Sequence, residues 1–188
     1  MRSPEIPVPE KEGCWRKAQV DIYFLRHGEA GKRMPAVARD RDRPLTAVGK
    51  DEMEEIGEAI ADSGFKFDIV ATSPLRRSKD SATIVNKALK RKTGVEEWPE
   101  LSPEGSREAL LRRLARLKPD SAILCVGHEP FLTSAIGEVI SKGEGGGGNV
   151  RISLKKGGLA KVSVSGFNPR ISGELRWLLT PKQIKKLA

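Results

Sequence analysis

The chain has 188 residues, 38% of them hydrophobic and 31% charged. That length and balance fit one globular domain with a core large enough to fold without disulfides or structural metals. Two cysteines, Cys14 and Cys125, and only two histidines exclude a disulfide framework and a zinc cluster from the expectation. No apolar run approaches the roughly 18 residues that span a bilayer, and the opening MRSPEIPVPEKEGCW lacks the apolar core of a secretory signal, so a cytoplasmic protein is expected. The net charge is +9, concentrated in SPLRRSKDS, KALKRK, REALLRRLARLK and PKQIKKLA. Such runs read as solvated helix faces or as a funnel for a phosphorylated substrate. Aromatic residues make up 5% of the chain and form no RNA-type motif, which argues against nucleic acid as the partner.

Residues 1–18 are rich in Pro, Glu and Lys and read as an extension, with one domain over 19–188. VDIYFL (20–25) is an apolar β-type run ending in RHGEA, followed by a loop rich in Arg, Asp and Pro. LTAVGKDEMEEIGEAIADSG has helical spacing, with Thr46 as N-cap and Gly64 as the stop. FDIVATS (67–73) is a second buried strand. SPLRRSKDSATIVNKALKRKTG opens a helix with Ser73 as N-cap and Pro74 in its first turn. VEEWPEL holds a short third strand, and SREALLRRLARLK is an amphipathic helix with leucines 110, 111, 114 and 117 on one side. SAILCVGHEP is a strand carrying Cys125 in the core, and it runs into the helix PFLTSAIGEVISKG. After the connector EGGGGN (144–149), VRISL, LAKVSVS and ELRWLLT read as three strands, the first two joined by a Lys-Lys-Gly-Gly turn. Alternating strands and helices predict a three-layer α/β sandwich: a mainly parallel central sheet with helices on both faces, extended by C-terminal strands of which at least one is antiparallel.

In such a sheet, ligands bind at the carboxyl ends of the parallel strands. Both histidines, His27 in IYFLRHGEA and His128 in AILCVGHEP, stand where an apolar strand ends, each beside a glycine. A lone histidine is usually structural. Two in equivalent strand-end positions point to one shared pocket. FDIVATS ends at the same rim and leads to Arg76 and Arg77 at a helix start, and Arg26 precedes His27 directly. Guanidinium groups pair with phosphate oxygens through two hydrogen bonds, and helix-start amides attract anions. Two imidazoles with several arginines suit a phosphoryl group.

RHGEA after a strand, then LTAVGKDE, SPLRRSKDSA and GHEP resemble, in order and spacing, the histidine phosphatase superfamily with its phosphoglycerate mutase-like fold, and within it the short SixA-type phosphohistidine phosphatases. The resemblance runs from about residue 20 to residue 180. It implies His27 as the nucleophile that becomes phosphorylated, Arg26 and Arg77 as ligands of the phosphoryl oxygens, and His128 as the second histidine of the pocket. Family spacing favours Arg77 over Arg76, which is expected to face solvent or the pocket mouth. No metal or other cofactor is implied, since arginines and a histidine supply the positive field. Many relatives use a carboxylate as general acid, for which Glu100 and Glu104 in PELSPEGS are the candidates. Each also reads as a strand-end or capping residue. Glu29 and Glu129 read as loop or helix-start caps, Glu129 alternatively as a residue that orients an imidazole. Asp80-Ser81 departs from the Gln-Thr of relatives.

The expected substrate follows from two features. Few residues separate Arg77 from Glu100, which leaves little material for a lid, and no carboxylate stands out as the acid. Imidazole leaves readily, whereas an alkoxide needs a proton. The leading expectation is therefore hydrolysis of phosphohistidine on an acidic protein partner. A phosphatase for small phosphate esters is the alternative, and a non-catalytic phosphoprotein-binding module the third reading.

Overall fold

The computed structural model describes residues 19–32, 40–141, 150–166 and 171–187. The expected extension (1–18, with Cys14) and the glycine-rich connector (144–149) lie outside the described residues. The sheet has six strands: β1 (Val20–Arg26), β2 (Ile69–Thr72), β3 (Glu96–Glu97), β4 (Ala122–Gly127), β5 (Leu159–Gly166) and β6 (Ser172–Leu179), in the order β3-β2-β4-β1-β5-β6. The pairs β1–β4, β2–β4 and β2–β3 are parallel, and β1–β5 and β5–β6 are antiparallel.

Helices cover both faces. On one side α1 (Ala47–Asp62) and α2 (Arg76–Ala88) pack over Tyr23, Leu25, Val70, Leu124 and Val126. On the other, α3 (Arg107–Leu114) and α4 (Phe131–Ser141) pack over Ile22, Phe24, Ala71, Ile123 and Cys125. Successive strand residues therefore enter opposite cores, which explains why β1 and β4 read as continuous apolar runs rather than as an alternation. Cys125 is fully buried, and burial pushes its thiol far up from the ordinary value.

Thr46 caps α1 by accepting the Gly49 N–H at 3.0 Å, and Gly64 follows the helix with φ +75°. Ser106 caps α3 by accepting the Ala109 N–H, with Leu110, Leu111 and Leu114 buried below. Leu117 lies beyond the end of α3, partly buried against the same core.

Two local expectations, Ser73 as an N-cap and VRISL as a strand, are corrected. Helix α2 starts at Arg76 with Leu75 at its N-cap, because the hydroxyl of Ser73 is taken by the Leu75 N–H and by His128. VEEWPEL holds the short third strand as expected, the two-residue β3, followed by a 3₁₀ turn at Pro99–Leu101. VRISL (150–154) forms no strand: the Leu154 carbonyl accepts a side-chain hydrogen bond, from Arg26 Nη1 at 2.8 Å, in place of a ladder bond. Two C-terminal strands remain, and the basic tail adds a short α5 (Pro181–Ile184) whose Gln183 Oε1 accepts the Thr180 N–H. No helix among the described residues is long and apolar enough to cross a membrane.

Candidate active site

The parallel strands β1, β2 and β4 deliver their carboxyl ends to one rim. There the His27 N–H bonds the Gly127 carbonyl at 3.1 Å and the Ser73 N–H bonds the Val126 carbonyl at 3.1 Å, so the three loops leave the sheet side by side. His27, His128, Arg26 and Arg77 all line one open pocket of about 670 Å³ at that rim. The two imidazole centroids are 4.9 Å apart.

The turn after β1 is held tightly. A Cβ on Gly49 would lie 2.1 Å from the Glu29 carbonyl oxygen, and one on Gly28 would lie 2.7 Å from Met53 Cγ. Only glycines allow the first turn of α1 to close on this loop. Ser81 on α2 accepts the Gly28 N–H at 3.1 Å while donating to the Arg77 carbonyl at 2.7 Å. Ser81, which departs from the pattern of relatives, thus braces the loop that carries His27.

His27 Nδ1 lies 2.7 Å from the Gly28 carbonyl, an acceptor, so Nδ1 carries the proton and Nε2 holds a lone pair. Arg77 Nε donates to that Nε2 at 3.3 Å. Burial pushes the His27 pKa down to about 4, further lowered by Arg77, Arg26 and Arg43 and opposed by the Gly28 hydrogen bond. The ring is neutral at pH 7, as a nitrogen nucleophile must be. His128 is held lower still, at about 2, by burial first and then by the neighbouring His27 and Arg77. Its Nε2 meets Ser73 Oγ at 2.8 Å. With the Ser73 proton given to Nε2, the imidazole proton sits on Nδ1.

Three buried polar side-chain atoms lack a hydrogen-bond partner among the described residues: Arg26 Nε, His128 Nδ1 and Glu129 Oε1. All three residues line this pocket. Buried polar groups are almost always paired, so three orphans in one cavity mark a place where a ligand completes the hydrogen bonding. Arg26 Nε is an N–H donor, and His128 Nδ1 is one when Nε2 accepts the Ser73 proton, which suits an oxyanion.

Arg77 is 5% exposed, with its Nη1 2.9 Å from the Asp40 carbonyl oxygen and 3.3 Å from Asp40 Oδ2. Arg76 is exposed, reaches toward Asp80 at 3.9 Å and stays outside the pocket. Glu100, one of the two acid candidates, pairs with Arg113 at 3.3 Å and is not among the residues that line the pocket. Glu104 does line it, from an exposed position at the mouth. Glu29 bonds Lys156, whose ammonium holds the carboxyl below the usual range. Glu129 behaves oppositely: burial raises its pKa, and its Oε2 accepts from Thr133 Oγ1 at 2.6 Å.

Sequence reasoning missed Arg43, Asp40 and Lys156. Arg43 donates to the Ala30 and Gly31 carbonyls and to Asp40, fixing the loop beside His27. The cluster RDRDRPL is the only sequence signal, and it does not distinguish one arginine from the next.

The family model of the histidine phosphatase superfamily, branch 1, matches residues 22–103. An uncharacterized protein of Picosynechococcus sp. is 32% identical over 167 residues, covering 87% of this chain and 98% of that protein. Among solved structures, the protein histidine phosphatase SixA complexed with tungstate superposes with a TM-score of 0.72 at 21% identity, covering 86% of this chain and 97% of that one. A mutant phosphoserine phosphatase from Entamoeba histolytica in complex with phosphoserine gives 0.62 at 16% identity, covering 87% and 98%. The chain belongs to the histidine phosphatase superfamily, and its fold is that of SixA.

Proposed function

We propose that this phosphatase hydrolyses phosphohistidine on a partner protein, through a phosphohistidine intermediate formed at His27. The observation that carries the reading is the state of His27: neutral, with its Nδ1–H tied to the Gly28 carbonyl and its Nε2 lone pair in a pocket with four arginines, Arg26, Arg41, Arg43 and Arg77.

The chemistry follows from that arrangement. Arg26, Arg77 and the Nδ1–H of His128 receive the equatorial oxygens and offset their charge. Nε2 attacks phosphorus in line, and the Arg77 Nε–H that donates to it turns to a phosphoryl oxygen. As the Nε2–P bond forms, positive charge develops on the ring, and the Nδ1–H to Gly28 bond strengthens with it. The substrate's N–P bond breaks and its electron pair goes to the ring. The ring departs as neutral imidazole because its other nitrogen carries a proton, a state readily reached with a pKa near 6.5. Water then attacks phosphorus, the N–P bond breaks, and its electron pair returns to Nε2.

Two features support a protein as the substrate. The mouth carries Arg41, exposed, and Lys156, half-buried, and the chain as a whole is strongly basic. Such a rim attracts an acidic partner and speeds encounter at low salt. The solved relatives include one named a protein histidine phosphatase and one holding phosphoserine, so the two substrate classes are the ones to compare.

The test is a side-by-side measurement of kcat/KM for a phosphohistidine protein, phosphoserine and a sugar phosphate at low and high salt. The phosphohistidine protein is expected to turn over fastest, with an advantage that shrinks as ionic strength shortens the screening length below about 8 Å. Equal or faster turnover of the sugar phosphate overturns the proposal in favour of small esters.

A further inference from the structure

We propose that Lys156 binds an acidic side chain next to the phosphohistidine, and so selects which phosphoprotein the site accepts. The inference rests on the reading of a phosphohistidine protein as the substrate, and adds the residue that recognises its local sequence.

The position of Lys156 is set by the backbone that carries the nucleophile. The turn Lys155-Lys156-Gly157-Gly158 leads into β5 and docks on the carboxyl end of β1. The Gly157 N–H reaches the Arg26 carbonyl at 3.0 Å and the His27 carbonyl at 3.3 Å, and the Arg26 N–H donates to the Gly158 carbonyl at 3.0 Å. Arg26 Nη1 adds a bond to the Leu154 carbonyl at 2.8 Å. Gly157 stands at φ +68°, and a Cβ there would lie 2.7 Å from Ile56 Cδ1, so glycine is what lets the turn sit this close. The backbone of Lys156 is thereby fixed relative to His27.

Its side chain lines the pocket mouth, 42% exposed, and pairs there with Glu29, 39% exposed. Glu29 follows His27 by two residues, so the ammonium already holds a carboxylate that neighbours a histidine in the chain. A phosphohistidine segment with an acidic neighbour presents the same pair from the substrate side. Exposed ion pairs contribute little, so exchanging Glu29 for an incoming carboxylate costs little. An ammonium has three N–H donors and can also hold both carboxylates at once. The deeper cations are engaged elsewhere. Arg43 donates to the Ala30 and Gly31 carbonyls and to Asp40, and Arg77 donates to His27 and Asp40. Charge placed at a rim discriminates among partners, since a neutral or basic neighbour gains nothing there.

The experiment uses two peptides that differ only in the neighbours of the phosphohistidine: Glu on both sides, or Gln on both sides. The value of kcat/KM is measured for each with the wild type, Lys156→Met, Lys156→Arg, Glu29→Gln and Lys87→Met, and phosphoimidazole serves as a substrate without neighbours. Lys87→Met removes the same charge from the exposed last turn of α2 and controls for the field of the whole protein. The wild type is expected to prefer the Glu peptide by on the order of fivefold. Lys156→Met is expected to bring the two peptides level, and Lys156→Arg and Lys87→Met to keep the preference. Glu29→Gln, which releases the ammonium, is expected to increase it. Thermal unfolding is recorded for every variant, and Glu29→Gln carries the test if Lys156→Met does not fold. A preference that survives in Lys156→Met, that is lost equally in Lys87→Met, or that fails to rise in Glu29→Gln overturns the assignment. Turnover of phosphoimidazole with neither peptide accepted is a different result: it overturns the protein substrate itself, and the role of Lys156 with it.

Discussion

Two polar regions lie at opposite ends of β1, about 20 Å apart by the rise of a strand, and they are built on opposite terms. At the amino end, Asp21 accepts from Ser163 Oγ at 2.7 Å and from Gln19 Nε2 at 3.3 Å, and pairs with Lys161 at 2.7 Å. That region also surrounds a cavity, of about 350 Å³, but the three side chains that reach into it around Asp21 satisfy one another. At the carboxyl end, Arg26, His128 and Glu129 each keep a buried polar atom without a partner among the described residues. A cavity by itself therefore says little. The first region is a closed network that holds strands together; the second is a set of hydrogen-bonding groups kept in reserve, at some cost in stability, for a ligand.

The largest test of this contrast removes His27, the proposed nucleophile. His27→Ala is expected to lower kcat/KM by on the order of 10⁴-fold or more, as loss of a nucleophile does elsewhere. Its unfolding midpoint should stay within about 4 °C of wild type, a shift of about 1 kcal/mol for a chain of this size. Activity assays and thermal unfolding of the same preparation check both halves. A collapse of stability with modest loss of activity would mark His27 as structural and erase the distinction.

A smaller effect sharpens it from the ligand side. An oxyanion such as vanadate or tungstate should raise stability by about 2.7 kcal/mol at 100 times its Kd, because it binds only the folded chain. The shift should persist in Asp21→Asn and vanish in Arg77→Ala, as read by thermal unfolding with and without the anion. A shift that depends on Asp21 would place the anion at the wrong end of the strand.

The smallest effect concerns the closed network. Asp21→Ala removes the acceptor shared by Ser163, Gln19 and Lys161, and is expected to cost about 1–2 kcal/mol of stability, with kcat/KM within about twofold of wild type. Denaturant unfolding and turnover of p-nitrophenyl phosphate measure the two quantities.

Much of the fold was legible because both cores impose strong local patterns. Continuous apolar runs marked β1, β2 and β4, helical spacing marked α1, with its Thr46 cap, and α3, and the strand-end placement of His27 and His128 put both at one rim. VRISL misled because its alternation suits a strand, whereas in the fold its Leu154 carbonyl is taken by the Arg26 guanidinium from 128 residues away. Ser73 misled for a related reason: its hydroxyl suits an N-cap, but a histidine 55 residues away claims it.

The sequence by itself determined the elements, their alternation, and which residue types reach the pocket, because these depend on local periodicity and on where a strand ends. Only the tertiary structure decided how each group is charged and aimed. Glu29 and Glu129 each follow a catalytic-motif histidine closely and look alike in the chain. Lys156 lowers the pKa of the first from 127 residues away, whereas burial raises that of the second against its hydrogen bond from Thr133. Desolvation and long-range pairing set protonation, and both arise only when distant segments pack together.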